Sequence, residues 1–115
     1  MCQTPNYISL SETENAQINW CKGCQHYSVI FNNCCFSFAD QELATFQQVL
    51  RQLKTVDYHY AFKNDHYAII KRNRSNMGIT LNKDQTRDFI ALIEEALAMK
   101  EIFLELFIND IRPSQ

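Results

Sequence analysis

The sequence predicts an α+β domain, with a mostly antiparallel sheet of about six strands covered by two helices. Three observations carry this. A unit of roughly 40 residues occurs twice, each copy holds short runs rich in β-branched and aromatic residues, and each ends in a run with apolar residues at helical spacing. A chain of 115 residues suits a single domain, 1–115, with internal repeats at about 16–54 and 56–110.

The repeat is visible in His26-Tyr27-Ser28-Val29-Ile30 against His66-Tyr67-Ala68-Ile69-Ile70, an offset of 40 that also matches Trp20 to Tyr60. Downstream the offset becomes 43, where Phe36-Ser37-Phe38 matches Ile79-Thr80-Leu81 and Phe46 matches Phe89. The change falls between strands, at Asn32-Asn33 in the first copy and residues 72–76 in the second, where insertions are tolerated. Two copies are too few for a solenoid, so the reading is a duplicated β-β-(β)-α unit within one domain.

Each element has its own signal. Tyr7 to Leu10 reads as a short strand before the first copy. Ala16 to Trp20 is strand-like, and Gln25 to Phe31 follows a Cys-x-x-Cys turn. Asn32-Asn33 supplies a hairpin, because Asn tolerates positive φ, and Cys34 to Phe38 alternates as a third strand. From Asp40 to Lys54, Leu43, Phe46, Val49, Leu50 and Leu53 give a helix one apolar face. The second copy predicts strands at Val56 to Phe62, His66 to Lys71 and Met77 to Leu81. Asn82 and Gln85 then form a capping-box pattern. No breaker interrupts the run from Lys83 to Asp110, whose distal part carries more apolar residues than one stripe needs. Either its end folds back onto the core or it forms a subunit interface.

Composition narrows the function. Hydrophobic residues are 46% and charged ones 21%, which excludes disorder. A net charge of −2 argues against bulk phosphate binding. There is no apolar run long enough to span a membrane and no signal-peptide pattern. Five cysteines in that setting point to a reducing cytoplasm. Neither a Ser-His-Asp order, a Gly-rich phosphate loop nor a His-Glu-x-x-His motif occurs, so the reading is non-enzymatic. His59, Asp65 and His66 read as surface polar residues. Lys63, Lys71, Arg72 and Arg74 form a basic tip beside Tyr58, Tyr60 and Tyr67, a weak pattern for stacking nucleic acid.

Trp20-Cys21-Lys22-Gly23-Cys24 is the segment with chemistry. A thioredoxin-type redox site needs a helix start after the first Cys, yet a strand follows, and no proline lies between Pro5 and Pro113. In a hairpin turn the pair resembles half of a zinc knuckle, with Gly bending the backbone around the sulfurs. Cys2 is a candidate third ligand, and His26, Cys34 or Cys35 a candidate fourth. Inert thiols are the competing reading, since Cys34 and Cys35 suit ordinary packing.

Cys2, Thr13-Glu14-Asn15, Cys21 with Cys24, Val29-Ile30-Phe31-Asn32-Asn33 and Asp40 to Phe46 together resemble a domain-of-unknown-function family of small Bacteroidota proteins with an N-terminal Cys and a Cys-x-x-Cys hairpin. The resemblance implies that Cys2, Cys21 and Cys24 belong to one shared site. The sequence thus predicts a cytoplasmic bacterial protein with a structural zinc. It would act through a protein partner or as a homodimer through the C-terminal helix. The alternatives are a thiol-based redox sensor using the Cys-x-x-Cys pair and nucleic-acid binding through the basic tip.

Overall fold

A computed structural model describes residues 7–71 and 78–111, with side chains to residue 106. The fold is α+β. Among the described residues, seven strands precede or separate two helices: β1 Tyr7–Glu12, β2 Ala16–Cys21, β3 His26–Phe31, β4 Cys34–Ala39, α1 Glu42–Arg51, β5 Tyr60–Phe62, β6 Asp65–Lys71, β7 Gly78–Leu81 and α2 Lys83–Ile111. The strands form two antiparallel sheets, ordered β1-β2-β3-β4 and β5-β6-β7, where the sequence predicted one sheet of about six. Of the described residues, those within 1–45 and 92–115 form one compact unit and those within 46–91 a second, so the boundary falls inside both helices.

In the first unit the four strands form a meander. Ala16, Ile18, Trp20, Tyr27, Val29 and Phe38 alternate onto one face and are buried, together with Leu43, Leu92, Ile93 and Ala96. The register of β1 slips between Ser9 and Ser11, a bulge that turns both Leu10 and Ser11 inward. The hydroxyl of Ser11, now buried, donates to the Leu92 carbonyl at 3.0 Å. The β3–β4 turn has Asn32 at φ 54 and Asn33 on the ordinary side, the sign pattern of a type II′ turn.

In the second unit Lys63 (φ 50) and Asn64 (φ 64) make the both-positive turn of type I′ between β5 and β6. Ala68, Ile70, Ile79, Leu81 and Phe89 are buried, and Phe46 meets Phe89 edge to face at 6.0 Å. The strand expected from Val56 begins only at Tyr60. Residues Thr55–Asp57 instead form a 3-10 turn, closed by the Lys54 N–H donating to Asp57 Oδ2 at 2.7 Å.

The two segments matched in the sequence share one hairpin pairing but bury different faces. Trp20 pairs with Tyr27 as Tyr60 pairs with Tyr67. Yet Tyr27 and Val29 are buried, whereas at the matching positions Tyr67 is half-buried and Ile69 exposed. Ala68 and Ile70 are buried instead. Side chains alternate with a period of two, so a one-residue shift inverts the buried face. The third strand shifts as well. Cys34 pairs with Phe31 and Gly78 with Lys71, an offset of 44 where the sequence comparison placed 43.

The helix starts are capped by the residues beside them. α1 begins at Glu42 rather than Asp40. The Ala39 N–H donates to Glu42 Oε1 at 2.6 Å, the reciprocal half of a capping box, while the alanine has no side-chain acceptor for the other half. Asn82 and Gln85 form the expected box, with the Gln85 N–H on Asn82 Oδ1 at 2.7 Å and the Asn82 N–H on Gln85 Oε1 at 3.0 Å. α2 is continuous for 29 residues, about 43 Å, so its end does not fold back as one expectation had it.

Candidate functional site

The Cys-x-x-Cys segment closes the β2–β3 hairpin. Cys21 pairs with His26, leaving Lys22 to Gln25 as a four-residue loop held by the Gln25 N–H on the Cys21 carbonyl at 2.8 Å. The left-handed position is Gln25 (φ 57), and neither glycine has positive φ, so Gly23 does not supply the bend expected of it. Cys21 is completely buried and Cys24 partly exposed; Cys21, Cys24, Cys34 and Cys35 are all thiols outside any disulfide. His26 is exposed and its Nδ1 lies 2.7 Å from the Cys24 carbonyl, tying the imidazole to the turn.

The fold separates the other candidates. Cys35 lies opposite Ile30 and Cys34 opposite Phe31, at the far end of β3. Four register positions, roughly 13 Å, divide Cys35 from the hairpin end that holds Cys21. The Cys35 sulfur instead lies 3.2 Å from the Ser28 hydroxyl. Cys2 lies outside the described residues. Tyr7, the first residue of β1, lies opposite Cys21, so the chain enters the sheet at the cysteine end. Among the described residues no three His, Cys, Asp or Glu side chains gather as a metal-binding group.

A second cluster was not foreseen from the sequence. Lys100, its side chain only 13% exposed, lies over the Trp20 ring at 5.2 Å and the Tyr27 ring at 5.3 Å and forms an ion pair with Asp40. Trp20 and Tyr27 are cross-strand partners on the core face, and Lys100 follows Ala96 by one helical turn, which brings it over them. Burial pushes the Tyr27 hydroxyl above its ordinary range, opposed by a hydrogen bond from Lys100. Burial alone would pull the Lys100 ammonium down. The Asp40 carboxylate and the Tyr27 oxygen outweigh it, and the net shift is upward. Trp20 Nε1 is buried without a hydrogen-bond partner among the described residues. A lysine one turn after a buried alanine on an apolar helix face was the signal that sequence reading passed over.

The second unit has an open polar cleft of about 530 Å3 at the start of α2, lined by Thr55, Tyr58, Asp65, His66, Lys83 and Asp84 among others. Its groups serve the fold. Asn82 Nδ2 donates to Asp65 Oδ2 at 2.8 Å, the His66 N–H to Asp65 Oδ1 at 2.8 Å, and the Lys83 ammonium lies 5.8 Å from the Tyr58 ring centre. The carboxylates of Asp65 and Asp84 offset the positive end of the helix. His59 Nδ1 lies 3.1 Å from the Asp57 carbonyl, apart from this arrangement. Of the basic tip, Arg72 and Arg74 lie outside the described residues. Lys63 lies over the Phe62 ring at 5.4 Å.

The distal half of α2 exposes three large apolar side chains. Met99 (41%), Ile102 (49%) and Leu106 (59%) recur at i, i+3 and i+7 on one stripe. Glu95, Glu101 and Glu105 are exposed beside it. The neighbouring Phe103 receives the Lys22 ammonium at 4.8 Å from its ring centre. No helix among the described residues is long and apolar enough to cross a membrane.

No curated protein and no solved structure matches the chain. Residues 1–112 match the family of unknown function DUF6686. With nearly all of its length covered, the chain belongs to that family, whose function is not known.

Proposed function

We propose that this protein works by binding rather than by catalysis, and that the distal half of α2 receives a basic amphipathic segment of a partner protein. The observation that carries this is the exposed stripe Met99, Ile102 and Leu106 together with its charge border. Residues 94–106 hold Glu94, Glu95, Glu101 and Glu105 against one cation, Lys100, which Asp40 already engages. A second copy of the same helix would bring acid to acid, whereas a segment with lysines flanking an apolar stripe offsets that charge while covering the stripe. The probe is a designed helical peptide of leucines bordered by lysines, titrated by calorimetry beside a scrambled control. Saturable binding that weakens with salt, and is lost in an Ile102→Glu, Leu106→Glu double variant, is the expected result. Equal binding of the scrambled peptide, or no effect of the double variant, sinks the proposal.

A second reading rests on the register of β1. Its first residue sits opposite Cys21, and Cys2 is five residues upstream, a reach of up to about 17 Å from the hairpin. We propose on that basis a structural zinc held by Cys2, Cys21, Cys24 and His26. Elemental analysis of protein purified under reducing conditions without chelator tests it. About one zinc per chain, lost in a Cys21→Ser, Cys24→Ser double variant, is expected. A metal-free protein removes this reading and makes reversible oxidation of the pair the next question.

A further inference from the structure

We infer that β4 is a self-association edge: two copies of this chain join β4 to β4 antiparallel, making one eight-stranded sheet from two four-stranded ones. The four sheet edges among the described residues differ. β5 and β7 are three and four residues long. β1 has six residues, but it is bulged between Ser9 and Ser11 and carries Glu12. Short length, bulges and charge are the devices that keep an edge from pairing. β4 has none of them. It runs Cys34-Cys35-Phe36-Ser37-Phe38-Ala39 with an unbroken register against β3, no charge and no proline.

The register also says which backbone groups are on offer. The two-residue turn at Asn32-Asn33 makes Phe31 and Cys34 a hydrogen-bonded pair, and such pairs alternate along an antiparallel ladder. Cys34, Phe36 and Phe38 therefore direct their N–H and C=O groups toward β3. Cys35 and Ser37 direct theirs outward, where among the described residues no strand pairs with them. Ala39 is next in the outward series, and its N–H is capped by Glu42. The open edge thus consists of two residues spaced by two.

Such an edge is self-complementary. A twofold axis through Phe36 sets Cys35 opposite Ser37 of the second copy, and Ser37 opposite its Cys35, closing four backbone hydrogen bonds. Phe36, half-buried on the core face, then meets Phe36 of the second copy in the close, non-hydrogen-bonded pairing where aromatic side chains interact best. With no charge on β4, the two strands approach without repulsion. The contact is small beside the roughly 1,200–2,000 Å2 of stable interfaces, so the dimer is reversible and depends on concentration.

Sedimentation equilibrium over a concentration series, with reductant present so that exposed thiols cannot crosslink, reads the association. The wild type is expected to pass from monomer toward dimer as concentration rises. Ser37→Pro removes an outward N–H and leaves the ladder to β3 intact. Ser37→Lys leaves the backbone alone and places charge on the edge. Each is expected to weaken the dimer by more than about tenfold, with Ile102→Glu, Leu106→Glu leaving it unchanged. Should Ser37→Pro fail to fold, Ser37→Lys decides. A wild type that stays monomeric at the highest concentration, or a dimer that survives Ser37→Lys, overturns the inference.

Discussion

Lys100 shows how one buried charge organises its surroundings. Its ammonium faces two aromatic rings and a carboxylate, and only the carboxylate, with its side chain 53% exposed, remains in water. Cation–π contacts contribute about 0.5–2 kcal/mol each and an exposed ion pair about 0–1 kcal/mol. Lys100→Met should therefore destabilise the protein by about 1–3 kcal/mol in urea titration while keeping its secondary structure. A loss within a few tenths would mean the rings do not feel the charge. The same cluster sets an alkaline limit. Tyr27 and Lys100 both hold their protons more tightly folded than unfolded. Their contribution is thus fully present below the ordinary tyrosine and lysine range, near pH 10, and is lost as pH rises through the folded values. Urea midpoints should fall above about pH 10, and Tyr27→Phe should flatten that fall. An unchanged slope in Tyr27→Phe would assign the limit to other groups.

At the scale of the element, α2 is held at its start by a chain of side-chain contacts rather than by one cap. Asn82 accepts from Gln85 N–H and donates to Asp65, whose other oxygen receives the His66 N–H. Asn82→Ala removes both roles and should cost about 1–2 kcal/mol, measured by thermal denaturation, with Gln85→Ala costing less. Equal costs would make the reciprocal bond from Gln85 the stronger half. This box was legible in the sequence because its chemistry is local, Asn then Gln three residues on. The β3–β4 turn was legible too, because asparagine takes positive φ. The start of β5 was not, because an aspartate three residues past Lys54 competes for the backbone there, and a strand pattern does not show that.

Across the whole molecule, the sequence conveyed the α+β class and the order of its elements but not the division into two sheets. The repeat suggested one continuous sheet because matching letters imply matching faces. Yet Val29 is buried, whereas Ile69, its match in the sequence, is exposed. Face is set by which neighbour a strand meets, and composition alone does not carry that information. The cysteines divide the same way: the hairpin position of Cys21 and Cys24 was legible, while the distance to Cys34 and Cys35 depends on a register that only pairing reveals.

The chain's only tryptophan is the one beneath Lys100. Its indole sits 4% exposed with the ring nitrogen unbonded among the described residues, whereas Tyr58, Tyr60 and Tyr67 belong to residues 46–91. The protein therefore carries its own optical reporter. Indole emission reads the unit that holds the hairpin cysteines and β4, and no tryptophan elsewhere dilutes the signal. Zinc uptake, dimer formation or alkaline loosening there would be seen in native, unlabelled protein as a change of colour.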